Sequence, residues 1–246
     1  VYKENRFLSK NPDAVVVDTE VIAKGLPRFL ACGIGDALGK YTETPSVIRV
    51  GGRNRLLKPI HGSSTILATI AQKAMIDIIF NYGPLAIDAV EEGVVTPALE
   101  AVVEAVTLLS PIVGEGGGIA GAHTIYFAFT TILDKYKPSP TPCHGELVFF
   151  GMLAEMIMDG YPEEEIIKMM EFGHKVGLPI NLEELGLKNL EDKDLMKIAE
   201  YAAAPERPIH SKPYKVTPKS IYNAIKLADS IGKKVGKNVP GRKFKR

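Results

Sequence analysis

Three short stretches of this chain each set one potential metal ligand among small residues: Gly33-Ile-Gly-Asp36, Gly116-Gly-Gly-Ile-Ala-Gly-Ala-His123 and Cys143-His144-Gly-Glu146. One carboxylate and two imidazoles drawn together from distant points can hold a divalent cation and leave coordination positions open, as a catalytic metal needs. Small neighbours would let the elements that carry them approach closely. Each residue also has a plainer reading. Asp36 after two glycines can cap a helix start, His123 can be a hydrogen-bonded core histidine, and His144 can mark a loop-to-helix junction after the Pro138-Ser-Pro140-Thr-Pro142 run. A buried carboxylate beside two imidazoles is costly without a cation between them, which favours the metal reading when the three stretches are taken together.

Competing chemistries find less support. Gly116-x-Gly118-x-x-Gly121 fits the dinucleotide fingerprint, with Asp134 eighteen residues beyond the first glycine, but the fingerprint needs a strand entering it and residues 97–110 have helical period. Close helix packing accounts for these glycines better. No Gly-x-Ser-x-Gly elbow, His-Glu-x-x-His or paired Cys-x-x-Cys occurs. Cys143 adjoins His144, and adjacent residues seldom point at one ion, so it is expected to be structural. Glu146 is expected to orient the His144 ring. His61, His174 and His210 lack suitable neighbours, with His174 expected on the surface. A metal hydrolase using water at the same open positions is a weaker reading.

The elements that must position these groups read as helices. Thr96-Pro97 and Thr217-Pro218 supply a cap followed by proline at the first helical position. Leu99, Val102, Val103, Val106 and Leu109 then form one stripe, as do Ile221, Ala224, Ile225 and Ala228. Pro162 precedes three glutamates in a first turn, and Gly177 ends that helix. Residues 63–80 and 145–159 are apolar on nearly every side, which predicts two central helices of a bundle. By contrast Ala14-Val-Val-Val-Asp18 reads as a buried strand whose sheet lies in sequence not present. The expected organisation is a remnant strand segment of a nucleotide-binding domain over 1–18, an all-helical metal-binding domain over 19–232, and a disordered basic tail over 233–246.

The chain has 246 residues, 46% of them hydrophobic, and a formal charge of +1. That is enough for a well-buried core. Seven of the 30 Lys+Arg fall in the last fourteen residues, leaving 23 against 29 acids elsewhere. An acidic body offers no footprint for nucleic acid. Two cysteines make no disulfide framework, and no leader or eighteen-residue apolar run is evident, so no membrane partner is expected and the cytoplasm is the default compartment.

Taken together, these stretches resemble the C-terminal half of the glycerol dehydrogenases, within the iron-type (group III) polyol and alcohol dehydrogenase family. Further matching pieces are Lys10-Asn-Pro-Asp13 before Val17-Asp18-Thr19, Arg28-Phe-Leu-Ala31, Glu115-Gly-Gly-Gly118, Val176-Gly-Leu-Pro179 and Pro208-Ile-His210 before Val216-Thr217. The resemblance runs from residue 1 to about 232. It implies the helical-bundle C-terminal domain of the dehydroquinate synthase-like, iron-type alcohol dehydrogenase fold. It also implies a divalent metal, zinc or iron(II), on Asp36, His123 and His144, with NAD held chiefly by an N-terminal domain. A polyol or alcohol substrate follows, with a homo-oligomer or a complementing N-terminal domain as partner. The chain departs from the family pattern at Tyr126, where many relatives carry a second histidine, and at Gly114, where many carry an aromatic. These departures bear on proton transfer and on the choice of substrate. The rival reading is a non-catalytic remnant or assembly module that keeps the helical fold.

Overall fold

A computed structural model describes residues 10–51 and 62–244, which fold into helices with no strand formed among them. The helices are α1 (Thr19–Ala23), α2 (Pro27–Arg49), α3 (Ile66–Glu91), α4 (Pro97–Glu104), α5 (Ser110–Gly117), α6 (Gly121–Thr130), α7 (Leu133–Tyr136), α8 (His144–Met158), α9 (Glu163–Val176), α10 (Asp192–Ala202) and α11 (Pro218–Asn238). One π-helical turn, Ala105–Leu109, joins α4 to α5, and a 3-10 turn covers Pro208–His210.

Helix α8 forms the centre, as its all-round apolar sequence predicts. Every residue from Gly145 to Met156 is buried, with α2 and α6 packed most extensively on it and α9 and α11 adding further cover. Helix α3 departs from the same expectation. Ala68, Met75, Ile79, Gly83 and Ile87 face the core, whereas Ile66, Leu67 and Ile70 are 81%, 61% and 62% exposed. Its inner stripe alone satisfies α2, α4 and α5, so it forms an outer layer of the bundle.

The caps follow the sequence. Thr96 Oγ1 accepts from Leu99 N at 3.2 Å. Thr217 Oγ1 accepts from Ser220 N at 3.1 Å, while Ser220 Oγ accepts from Thr217 N at 3.0 Å. This reciprocal box satisfies donors that the helix cannot. Thr217→Ala is therefore expected to lower stability by about 1 kcal/mol in a urea titration with unchanged m-value; an unshifted midpoint would show that water caps α11 as well.

Both ends of the expected organisation read differently in the structure. Ala14 to Asp18 is extended chain without strand pairing, and Val16 is 92% exposed, because no ladder partner lies beside it among the described residues. The boundary placed at 232 falls inside α11, which continues to Asn238. Beyond it Arg242 pairs with Asp88 and Glu91 at 2.7 and 2.9 Å, so the described part of the basic tail is tied down by opposite charge. Residues 97–117 are also the one described helical run long and apolar enough, by length and composition, to cross a membrane; core helices pass the same test, and a third of its window is buried, 33%.

Candidate metal centre

Asp36 lies in the middle of α2 rather than at a helix start. His123 is the third residue of α6, and His144 is the first of α8. These three helices meet so that Asp36 Oδ1 lies 3.0 Å from His123 Nε2 and 2.9 Å from His144 Nε2. The donor atoms of the three side chains lie within 4.8 Å of one another. The sequence-selected residues thus converge on one oxygen. They line a cavity of about 370 Å³ with Lys40, Tyr126 and Gly114.

Helix crossing at glycine permits the convergence. A Cβ on Gly145 would sit 1.7 Å from the Cys32 carbonyl oxygen, and one on Gly35 would sit 2.5 Å from the Gly145 oxygen. Backbone therefore meets backbone where α8 starts, one residue from each of Asp36 and His144.

Two residues at the site escaped the sequence reading, Lys40 and Glu43. Both follow Asp36 on one face of α2, at i+4 and i+7, and that spacing was the available signal. Glu43 is completely buried. Its Oε2 lies 2.7 Å from His123 Nδ1, and its Oε1 accepts from His123 N at 2.9 Å. A carboxylate there accepts a hydrogen bond from Nδ1–H and leaves Nε2 as the nitrogen facing Asp36, the tautomer a metal-binding imidazole requires. Lys40 Nζ donates to both carboxylate oxygens of Asp36 at 3.2 Å.

The electrostatics show how strongly positive charge is favoured. Burial opposes charging of His123, yet the Glu43 carboxylate, with the ring's hydrogen bonds to Asp36 and Glu43, raises its pKa to about 9. Burial likewise works against ionised Asp36, and the Lys40 ammonium with the two imidazoles overcomes it and holds the acid well below its usual range. With Nδ1 committed to Glu43, Nε2 can meet Asp36 favourably only through a second proton or a cation. One carboxylate oxygen and two imidazole nitrogens form a donor set suited to zinc or iron(II), so the residues fit such an ion.

Other expectations need correction. Glu146 does not orient His144. It binds Arg28 through two 2.7 Å contacts and accepts from Cys143 N at 2.7 Å, because the third residue of a helix turns back toward its cap. What packs on the His144 ring is Tyr126, edge-on at 4.2 Å between centroids. His174 is buried rather than on the surface, with Nδ1 donating to Val239 O at 2.6 Å and Nε2 3.0 Å from Glu184 Oε2. Burial opposes its charge, but Glu184 and the Val239 carbonyl raise its pKa. His210 Nε2 bonds the Ala203 carbonyl at 3.0 Å, and His61 lies outside the described residues. Cys32, Cys143 and Glu146 also converge, but the carboxylate is already occupied by Arg28 and burial pushes the Cys32 thiol up. A larger cavity of about 650 Å³ touches Arg28, Glu146, His174 and Phe244 and none of Asp36, His123 and His144. Gly116 ends within α5 and Gly121 begins α6, so no strand enters the glycine stretch.

No family model matches the chain. It is 40% identical over 232 residues to a glycerol dehydrogenase of Thermotoga maritima, covering 94% of this chain and 62% of that protein. It is 34% identical to a glycolaldehyde reductase of Halobacterium salinarum over 95% of this chain and 62% of that protein. The crystal structure of glycerol dehydrogenase from Schizosaccharomyces pombe superposes with a TM-score of 0.88 at 36% identity, over 95% of this chain and 58% of that one. The chain thus spans about three fifths of the length of these relatives.

Proposed function

The chain is a relative of the glycerol dehydrogenases, matching their C-terminal helical part, and from that premise we propose that it supplies the metal-binding half of an NAD-linked oxidation of glycerol or a related polyol. The observation that carries the reading is the meeting of Asp36, His123 and His144 at one point of a cavity sized for a small ligand. Those three residues would hold the ion, zinc before iron(II). When bound, it would supply Lewis acidity that lowers the pKa of a substrate hydroxyl, and NAD would accept the hydride.

The chain's own residues have separable tasks. Asp36 provides the anionic donor. Glu43 fixes the His123 tautomer, and Tyr126 restrains the His144 ring. Lys40, 4% exposed, places a second positive charge on the cavity wall. Tyr126 stands where many relatives carry histidine, so a proton leaving the hydroxyl would be passed on by another group. A side chain at position 114 would meet Lys40, its Cβ lying in van der Waals contact 3.8 Å from the lysine Cε, so the glycine leaves the cavity wider beside that lysine. The cytoplasm is the compartment we propose, with a complementing N-terminal domain or a homo-oligomer as partner.

The test is turnover of vicinal diols with NAD and Zn²⁺ or Fe²⁺, using this chain alone and mixed with a separately made N-terminal segment of a relative. Spectroscopic appearance of NADH is expected in the mixture. Failure with every diol and both metals would support the non-catalytic module instead. Glu43→Gln is expected to weaken metal binding about 10- to 100-fold by releasing the His123 ring, read by competition with a chromophoric chelator; wild-type affinity in this variant would remove Glu43 from the site.

A further inference from the structure

Helix α6, which carries His123, has no cap of its own. Its cap residue is Ala120, which has no polar side chain, so the amides of the first turn need partners from elsewhere. Two buried carboxylates supply them. Glu43 of α2 accepts from Ala120 N at 2.8 Å and His123 N at 2.9 Å. Glu155 of α8 accepts from Gly121 N and Ala122 N, both at 2.9 Å. Four consecutive amides are thus held by side chains of two different helices. Gly121 permits the approach, since a Cβ there would lie 2.6 Å from Glu155 Cδ.

Glu155 is itself anchored. Thr42 Oγ1 donates to its Oε2 at 2.6 Å, and Lys212 Nζ donates to its Oε1. Lys212, from the stretch between the 3-10 turn and α11, has no side-chain exposure. Its ammonium also donates to Ser46 Oγ and Asp159 Oδ2, both at 2.7 Å. All three of its donors are in use. Burial disfavours both charges: Glu155 and Asp159 keep Lys212 protonated against it, whereas burial, with the neighbouring Glu43 and Asp159 carboxylates, raises the pKa of Glu155 against the pull of the Lys212 ammonium. A buried ion pair adds little net stability over apolar packing of the same shape, so its place against the first turn of α6 is the informative fact.

We infer that Glu155, held by Lys212, is a positioning residue for His123: it fixes the height and rotation of the first turn of α6, so that the imidazole reaches the point shared with Asp36 and His144. Neither residue touches that point. The inference rests on the reading of the point as a cation site, and its consequence for the imidazole can be read without any cation.

The experiment compares the full chain with Glu155→Gln, Lys212→Met and the double variant. Co²⁺ affinity, the visible Co²⁺ spectrum, and the ¹⁵N shifts of the His123 ring in metal-free protein are measured beside thermal unfolding. Glu155→Gln is expected to lower Co²⁺ affinity about tenfold, alter the spectrum and move the His123 ring shifts. In the double variant affinity and ring shifts are expected to stay at the Glu155→Gln values, and because Lys212 also holds Asp159 and Ser46, Tm serves only to show that each variant is folded. Wild-type affinity, spectrum and ring shifts in the folded double variant would overturn the positioning role. If the unaltered chain binds no Co²⁺, the cation reading fails, and the ring shifts alone decide the positioning: movement supports it and constancy refutes it. Should Glu155→Gln not fold, Thr42→Val, which removes one donor from Glu155, is expected to move the same shifts to a smaller extent; unchanged shifts there would again refute it.

Discussion

His144→Ala is expected to lose tightly bound divalent metal while keeping its fold. The variant removes one of three donors, and since loss of an outer partner alone typically weakens a metal site about 10- to 100-fold, loss of a direct donor is expected to reach at least about 100-fold. The fold has little stake in the side chain. It is 44% exposed, and the α8 N-terminus is capped independently by the Cys143 and Glu146 box, which Arg28 reinforces. Metal content after dialysis, beside Tm, separates the two effects. Full metal retention in His144→Ala would show that the three donors do not form the site, whereas loss of metal together with a large fall in Tm would make the residue structural.

Gly145→Ala is expected to damage stability and metal binding together without removing any donor. Its new methyl would stand 1.7 Å from the Cys32 oxygen and 3.0 Å from Asp36 N. Both are backbone of α2, so no side-chain rotation can relieve the clash and the two helices must part. Overpacking of a core costs about 1–3 kcal/mol, and a backbone clash belongs at the upper end. The same separation carries His144 away from Asp36, so metal affinity should fall although all three donors remain. Urea unfolding and chelator competition on one preparation check both parts. If Gly145→Ala kept wild-type stability and affinity, the α2–α8 crossing would have to be looser than the structure shows.

The groups were legible where a local signal existed. Gly-x-Gly-Asp, His at the end of a small-residue run and His-Gly-Glu marked the donors, and Thr-Pro marked two helix starts because a cap depends only on residues three apart. Glu43 carried only the faint signal of its i+7 spacing from Asp36, since an acid in mid-helix normally faces water. It becomes an internal partner only because α6 brings its uncapped amides and His123 Nδ1 against that face of α2. Glu146 was misread for the related reason that adjacency in sequence says little about direction at a helix start. His174 was misjudged because its helix is rich in Met and Glu, whereas the histidine lies on its buried face, beneath Val239 and Glu184. The three valines before Asp18 have strand character, but a strand exists only where a neighbour offers a ladder.

Residue type and near neighbours were enough to specify which side chains could donate to a metal, that the chain beyond residue 18 would be mainly helical, and that small residues would flank each donor. Those properties depend on residue type and on neighbours within a turn or two. What came only with the folded packing is that His123 and His144, 87 and 108 residues from Asp36, share its Oδ1, and that Glu43 and Glu155 hold α6 between them. Convergence depends on how α2, α6 and α8 cross, and those crossings are set by packing over their whole buried faces rather than by any short stretch of chain.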